Sequence, residues 1–170
     1  YYTGDINDWV SISFGDGSAN PLCYGANLYV NGNELVTEAN IDIATSIGAY
    51  AFYSYDKLTS VTIGDQVTSI GKYAFYECRG LTEIIFNATN MSDLSSLNGV
   101  FYRAGQDGEG ITVNIGANVT RIPAYLFSPY NNSSYSPKIT TVNFAESSQC
   151  TEIGERAFYD CSSLTEINFN

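Results

Sequence analysis

The sequence predicts an α/β solenoid: one domain of stacked units, each pairing a short parallel strand with a short helical or 3₁₀ turn. Three observations predict it. Ile47-Gly48-Ala49-Tyr50-Ala51-Phe52 returns 23 residues later as Ile70-Gly71-Lys72-Tyr73-Ala74-Phe75, and self-similarity at roughly 20–50 residues marks stacked repeats. Each copy leads into the same strand-like run, Leu58-Thr59-Ser60-Val61-Thr62-Ile63 after the first and Leu81-Thr82-Glu83-Ile84-Ile85-Phe86 after the second. Further copies begin at Ile122 and Ile153, and a degenerate one carries Val100-Phe101 before Ile111-Thr112-Val113-Asn114-Ile115.

The parts of one unit follow from residue chemistry. In Ser60-Val61-Thr62-Ile63 apolar and polar residues alternate, as in a strand with one buried face. Gly64-Asp65-Gln66 is turn chemistry. Val67-Thr68-Ser69-Ile70 gives a second short extended run, with Val67 and Ile70 inward. Gly71 punctuates it, and Lys72 to Cys78 then forms the helical or 3₁₀ turn that puts Ala74, Phe75 and Cys78 on one side. A lone unit cannot bury its apolar edge, so units must stack into ladders of Leu, Ile and Phe. Phe52, Phe75, Phe127 and Phe158 are the expected main core residues.

Residues 1–46 repeat less regularly. Tyr1-Tyr2-Thr3-Gly4 with Trp9-Val10-Ser11-Ile12 resembles the tail of an earlier unit, and Asn20 to Leu35 a variant unit with a turn at Asn31-Gly32. Two insertions, near 92–110 and at 128–137, stretch the period to 29. The chain stops at Asn170 just after a strand pattern without a polar cap. The expectation is a piece of a longer array, monomeric apart from end-to-end association through an open repeat edge.

Composition narrows the function classes. Hydrophobic residues make up 44% of the 170 residues, enough for a substantial core. Net charge is −11 with seven scattered Lys and Arg, which argues against a nucleic-acid partner. No stretch approaches the roughly 18 apolar residues of a membrane span. His is absent, which removes His-based triads, His general bases and most catalytic metal sites. No glycine-rich phosphate loop is present. The sequence therefore predicts no enzyme, cofactor or metal site. Asp5, Asp8, Asp16, Asp107 and Glu109 fall in turns, and Asp107-Gly108-Glu109 is too short for a 12-residue calcium loop.

The four cysteines read as reduced. Cys78 and Cys161 hold the same repeat position three rungs apart, about 14 Å at strand spacing, beyond the roughly 7 Å between Cα atoms that a disulfide allows. They are expected as small buried hydrophobes.

The pattern I-G-x-x-A-F-x-x-C-x-x-L-T-x-I, met in full at Ile70–Ile84 and Ile153–Ile167 and in part at Ile47–Val61 and Ile122–Val142, resembles the BspA-like class of leucine-rich repeats. The likeness covers about residues 41–170. It implies a right-handed, horseshoe-like leucine-rich-repeat solenoid with the parallel sheet on the concave side. It also implies a bacterial surface or secreted protein that is adhesive rather than catalytic.

On that framework the outward strand residues are Ser60 and Thr62, Glu83 and Ile85, Thr112 and Asn114, Thr141 and Asn143, Glu166 and Asn168. They form the candidate face for a protein partner, a host matrix glycoprotein among the options. Ile85 is the one apolar residue of the set. Tyr130 and Tyr135, set among small polar residues in the second insertion, are the other candidates, because such loops often sit on a binding face. Tyr53, Tyr76, Tyr102 and Tyr159 each follow a repeat Phe and are expected to stack along the outer side. Two alternatives stand beside the adhesive reading: a structural spacer that projects another domain, and a carbohydrate-binding module using Tyr130 and Tyr135.

Overall fold

Every unit enters the sheet through the same alternation of apolar and polar residues, and the computed structural model describes residues 4–132 and 135–169. Six strands form one sheet in chain order: β1 (Glu38–Ile41), β2 (Ser60–Ile63), β3 (Glu83–Phe86), β4 (Ile111–Ile115), β5 (Ile139–Phe144) and β6 (Glu166–Phe169). All neighbours are parallel, so like positions lie side by side. Val61 sits between Ala39 and Ile84, and Ile63 between Ile41 and Phe86. The array starts at β1, one rung before the first recognisable Ile-Gly copy.

A second ladder runs through the short extended segments. Ser46–Ile47 pairs with Ser69–Ile70, and Arg121–Ile122 with Glu152–Ile153, again in parallel.

The Ala-Phe segment makes a third. It closes 3₁₀-type bonds, Tyr76 N–H to the Tyr73 carbonyl at 3.2 Å and Cys78 N–H to the Phe75 carbonyl at 3.3 Å. A continuous helix does not form, because Tyr73 and Glu77 take left-handed φ values of 56° and 50°. The backbone freed in this way bonds along the stack: Phe52 N–H reaches the Ala74 carbonyl at 2.7 Å, and Phe75 N–H the Val100 carbonyl at 2.9 Å. True 3₁₀ helices occur at Gly17–Ala19 and Pro21–Tyr24, whereas Tyr130–Asn132 is a kinked turn with Asn131 at a left-handed φ of 48°.

Stacked turns bring identical side chains together. Phe52, Phe75, Phe101, Phe127 and Phe158 form one column with ring centroids 5.4, 5.0, 5.6 and 5.0 Å apart. The first four are fully buried. Phe158, in the last described rung, is half-buried. Glycine after Ile answers the close approach of the neighbouring rung: a Cβ on Gly154 would stand 2.5 Å from the Ala124 nitrogen, and one on Gly71 would meet the Ala49 backbone.

Residues 4–36 pack against the first rung of the array. Helix α1 (Ile6–Val10) is N-capped by Asp5, whose carboxylate accepts from Asp8 N–H while the Asp8 carboxylate accepts from Asp5 N–H. Trp9 is buried and its indole donates to the Ala51 carbonyl at 3.0 Å. Asn20, fully buried, donates to the Tyr50 and Ala51 carbonyls. Val10 to Phe14 then stand where a preceding rung would: the Val10 carbonyl accepts from Gly48 N–H at 2.6 Å, and Phe14 N–H donates to the Ala49 carbonyl. The tail of an earlier unit is expected from the sequence over Tyr1–Gly4 and Trp9–Ile12; Tyr1 to Thr3 lie outside the described residues. Asn20 to Leu35 do not form a parallel rung. Tyr29–Val30 pairs antiparallel with Glu34–Leu35 across Asn31-Gly32, with φ of 48° and 88°, so the variant unit expected there is a hairpin.

In the last rung Ile153, Ile167 and Phe169 are 54%, 57% and 69% exposed. The same columns are buried one rung earlier at Ile122, Val142 and Phe144. Asn170 lies outside the described residues.

Phe75→Ala removes a ring from the middle of the column and should cost about 3–5 kcal/mol. Thr62→Ala on the outward sheet face should stay within about 0.5 kcal/mol of neutral. Urea unfolding of both variants checks the register; equal sensitivity would refute it.

Candidate protein-interaction face

The parallel register sets the outward strand residues in two continuous rows. One runs Glu38, Ser60, Glu83, Thr112, Thr141, Glu166, and the other Asn40, Thr62, Ile85, Asn114, Asn143, Asn168. All ten strand candidates from the sequence lie in these rows. Glu38 and Asn40 extend them. The alternation in Glu38-Ala39-Asn40-Ile41 was their signal, masked by the irregular sequence around it. Ile85, expected as an exposed apolar residue, is half-buried between Thr62 and Asn114.

These side chains bond to one another. Asn168 Nδ2 donates to Asn143 Oδ1, Asn143 Nδ2 to Asn114 Oδ1, and Asn114 Nδ2 to Glu83 Oε1, each at 2.9 Å. Ser60 Oγ donates to the other oxygen, Glu83 Oε2, at 3.2 Å. The amides therefore form a ladder in which every dipole points its N–H end at Glu83. Each interior amide keeps one N–H and one carbonyl lone pair for a partner. The two rows carry three carboxylates and no cation. Asp42 and Asp65 add acid beside them, in a depression of about 330 Å³ shared with Asn40, Thr62 and Asn87.

Tyr130 and Tyr135 do not join this face. Tyr130 is half-buried against Tyr73 at 5.2 Å with the Lys72 ammonium 5.1 Å from its ring centre. Tyr135 is exposed, edge-on to Tyr102 at 6.2 Å with the Arg103 guanidinium 4.8 Å from its ring centre. Both belong to a tyrosine patch on the turns. Tyr53, Tyr76 and Tyr102 stack there at 4.5 and 5.3 Å, as expected. Tyr159 falls outside that stack: the intervening rung has buried Ser128 after its Phe, and Tyr159 packs under Arg156 instead.

The remaining chemistry is structural. Asp16 caps the first 3₁₀ helix through Ala19 N–H, and Asp107 pairs with Arg79 at 2.7 Å. Among the described residues no three His, Cys, Asp or Glu side chains gather as a metal site. None of the described helices is long and apolar enough to cross a membrane. All four cysteines are free, in line with the expected reduced state. The Cys78 thiol donates to the Phe52 carbonyl at 3.1 Å and the Cys161 thiol to the Phe127 carbonyl at 3.5 Å, each bridging to the previous rung.

Burial pushes the Cys78 thiol far above its ordinary range and the Cys161 thiol up to about 12. In the folded protein at neutral pH, Cys23 and Cys150 should react with a maleimide, whereas Cys78 and Cys161 should react only after unfolding. Mass spectrometry of the labelled peptides checks the order.

Burial, reinforced by Tyr76, also pushes the Tyr53 phenol up from 10.0 to about 12. Burial and the hydrogen bond with Tyr130 raise Tyr73 as well. Folding thus favours the protonated phenols, so their stabilisation is complete below pH 10 and is lost as pH climbs towards about 12. Denaturation followed from pH 9 upward, alongside tyrosinate absorbance, should show both changes together.

Comparison with curated proteins finds no match, and neither does comparison with solved structures. A family model does match: six copies of the BspA type leucine rich repeat region span residues 45–170. Those residues hold five of the six sheet strands and the whole Phe column. With its repeats in register along three backbone ladders, this chain belongs to the BspA-type leucine-rich repeat family.

Proposed function

We propose that the chain is a protein-interaction module, displayed outside or on the surface of a bacterial cell, that adheres to a host or neighbouring-cell protein through the outward face of its sheet. The observation that carries this reading is the pair of in-register rows, each six side chains long, with three carboxylates and no cation between them. A polar face of that kind suits a partner segment rich in Lys, Arg and N–H donors. The carboxylates attract it, and the unused amide groups of the Asn ladder supply hydrogen bonds. Residues that are already bonded to one another lose little freedom on binding, which favours affinity. Membership of a repeat family whose arrays present extended surfaces to partners supports the same reading.

Thr112 and Thr141 lie in the rows but outside the amide ladder, so they can be changed without breaking it. The doubly substituted protein, Thr112→Arg with Thr141→Arg, should keep its melting temperature and weaken partner binding by at least about tenfold. Surface plasmon resonance against immobilised matrix and serum glycoproteins measures it. Undiminished binding by the variant would refute the sheet face as the site. Absence of any binding to the panel would favour a spacer.

A further inference from the structure

A second surface feature lies among the turns. Arg79, Arg103, Gln106, Tyr135, Ser136, Ser162 and Ser163 line a cleft of about 330 Å³. It crosses four consecutive turns, whose contacts are sequential: Gly105 N–H bonds the Cys78 carbonyl and Lys138 N–H the Ala104 carbonyl. Three rung steps make it about 14 Å long. Gln106 spans its middle, with Nε2 donating to the Ala104 and Ser136 carbonyls at 3.3 and 3.2 Å.

We propose that this cleft binds a neutral, hydroxyl-rich sugar, with Tyr135 as the stacking platform and Arg79, Arg103, Gln106 and the serines as the hydroxyl-binding groups. The arginines are held in fixed orientations. Arg79 places Nε and Nη2 at 2.9 and 2.7 Å from Asp107 Oδ1, and Arg103 places Nη1 at 2.8 Å from Glu77 Oε1. Within the cleft the guanidinium groups supply donors, and the Gln106 side-chain oxygen and the serine hydroxyls supply acceptors. That combination matches neighbouring sugar hydroxyls, which both donate and accept. Serine hydroxyls at 136, 162 and 163 add groups of the same dual character. Tyr135 is 56% exposed although Arg103 and Tyr102 hold its ring in place. Such a ring presents a rigid face to the C–H side of a pyranose.

Charge selects a neutral ligand. Each arginine is already balanced by its own carboxylate, and the whole chain carries −11, so an anion gains little in the cleft and is repelled at longer range. A peptide anchor would require an apolar pocket, and Tyr135 is the one aromatic or aliphatic residue in the lining. The cleft is composed of turn residues and shares none of the two sheet rows, so it is independent of the interaction face above.

Saturation-transfer NMR and calorimetry with lactose, mannotriose, cellotriose and chitotriose test the assignment on the intact chain. At least one neutral sugar should saturate with a Kd of about 1 mM or tighter. Tyr135→Ala and Arg79→Ala should each weaken it by at least about tenfold with unchanged melting temperature. Tyr135→Phe keeps the ring and should retain binding, and so should the Thr112→Arg, Thr141→Arg protein. No saturable binding by any of the four sugars at about 10 mM would overturn the proposal. Binding undiminished in Tyr135→Ala, or confined to an acidic sugar such as sialyllactose, would overturn it equally.

Discussion

Parallel, in-register stacking of one rung on the next is the constraint from which the rest of this structure follows. Backbone hydrogen bonds run along the stack in three places: the six-stranded sheet, the short Ile ladder and the turn wall through Phe52, Phe75 and Phe127. Rungs tied on three sides leave their neighbours no freedom to slip. Outside the insertions and the register shift at Thr140, ladder residues therefore face their own counterparts at strand spacing, about 4.8 Å. That geometry rewards side chains that pack against copies of themselves. Phe does so through offset rings. Asn does so because its amide donates on one side and accepts on the other.

The same constraint explains residues that look anomalous one at a time. Tyr50, Tyr73, Tyr125 and Arg156 occupy one repeat position and all adopt left-handed φ, between 51° and 60°. An isolated bulky residue there is strained. Here the conformation aims its N–H at the neighbouring rung, as in Tyr50 to Lys72 and Tyr125 to Glu155, and three ladders outweigh the local cost. Threonine before β2, β3 and β6 follows a related logic: Thr59, Thr82 and Thr165 hydroxyls bond the Thr37, Thr59 and Thr140 carbonyls of the rung below. Glycine after Ile is where that approach is closest.

Stacking also divides the surface by chemistry. On the sheet side, periodicity collects Glu and Asn into an acidic, hydrogen-bonding plane. On the turn side, it collects tyrosines and places Lys72, Arg79 and Arg103 among them. Two of the seven cations thus line a single cleft.

What the sequence alone determined was whatever repeats. The period, the strand alternation and the Ala-Phe pair sufficed for the solenoid, the Phe column, the ten outward strand residues and the separation of Cys78 from Cys161, since each depends on position within the unit. Tertiary structure decided whatever depends on a neighbour that the local sequence does not announce. Glu38 and Asn40 joined the rows because β2 pairs with β1. Asn31-Gly32 turned a hairpin because Tyr29–Val30 pairs antiparallel with Glu34–Leu35 instead of joining the parallel stack. Tyr130 went into the tyrosine patch, and Arg79, Gln106 and Ser162 met in one cleft, because an insertion's path is set by the rungs on either side of it. Interactions within a repeat are written in its spacing, whereas interactions between unlike segments exist only once stacking has brought them within reach.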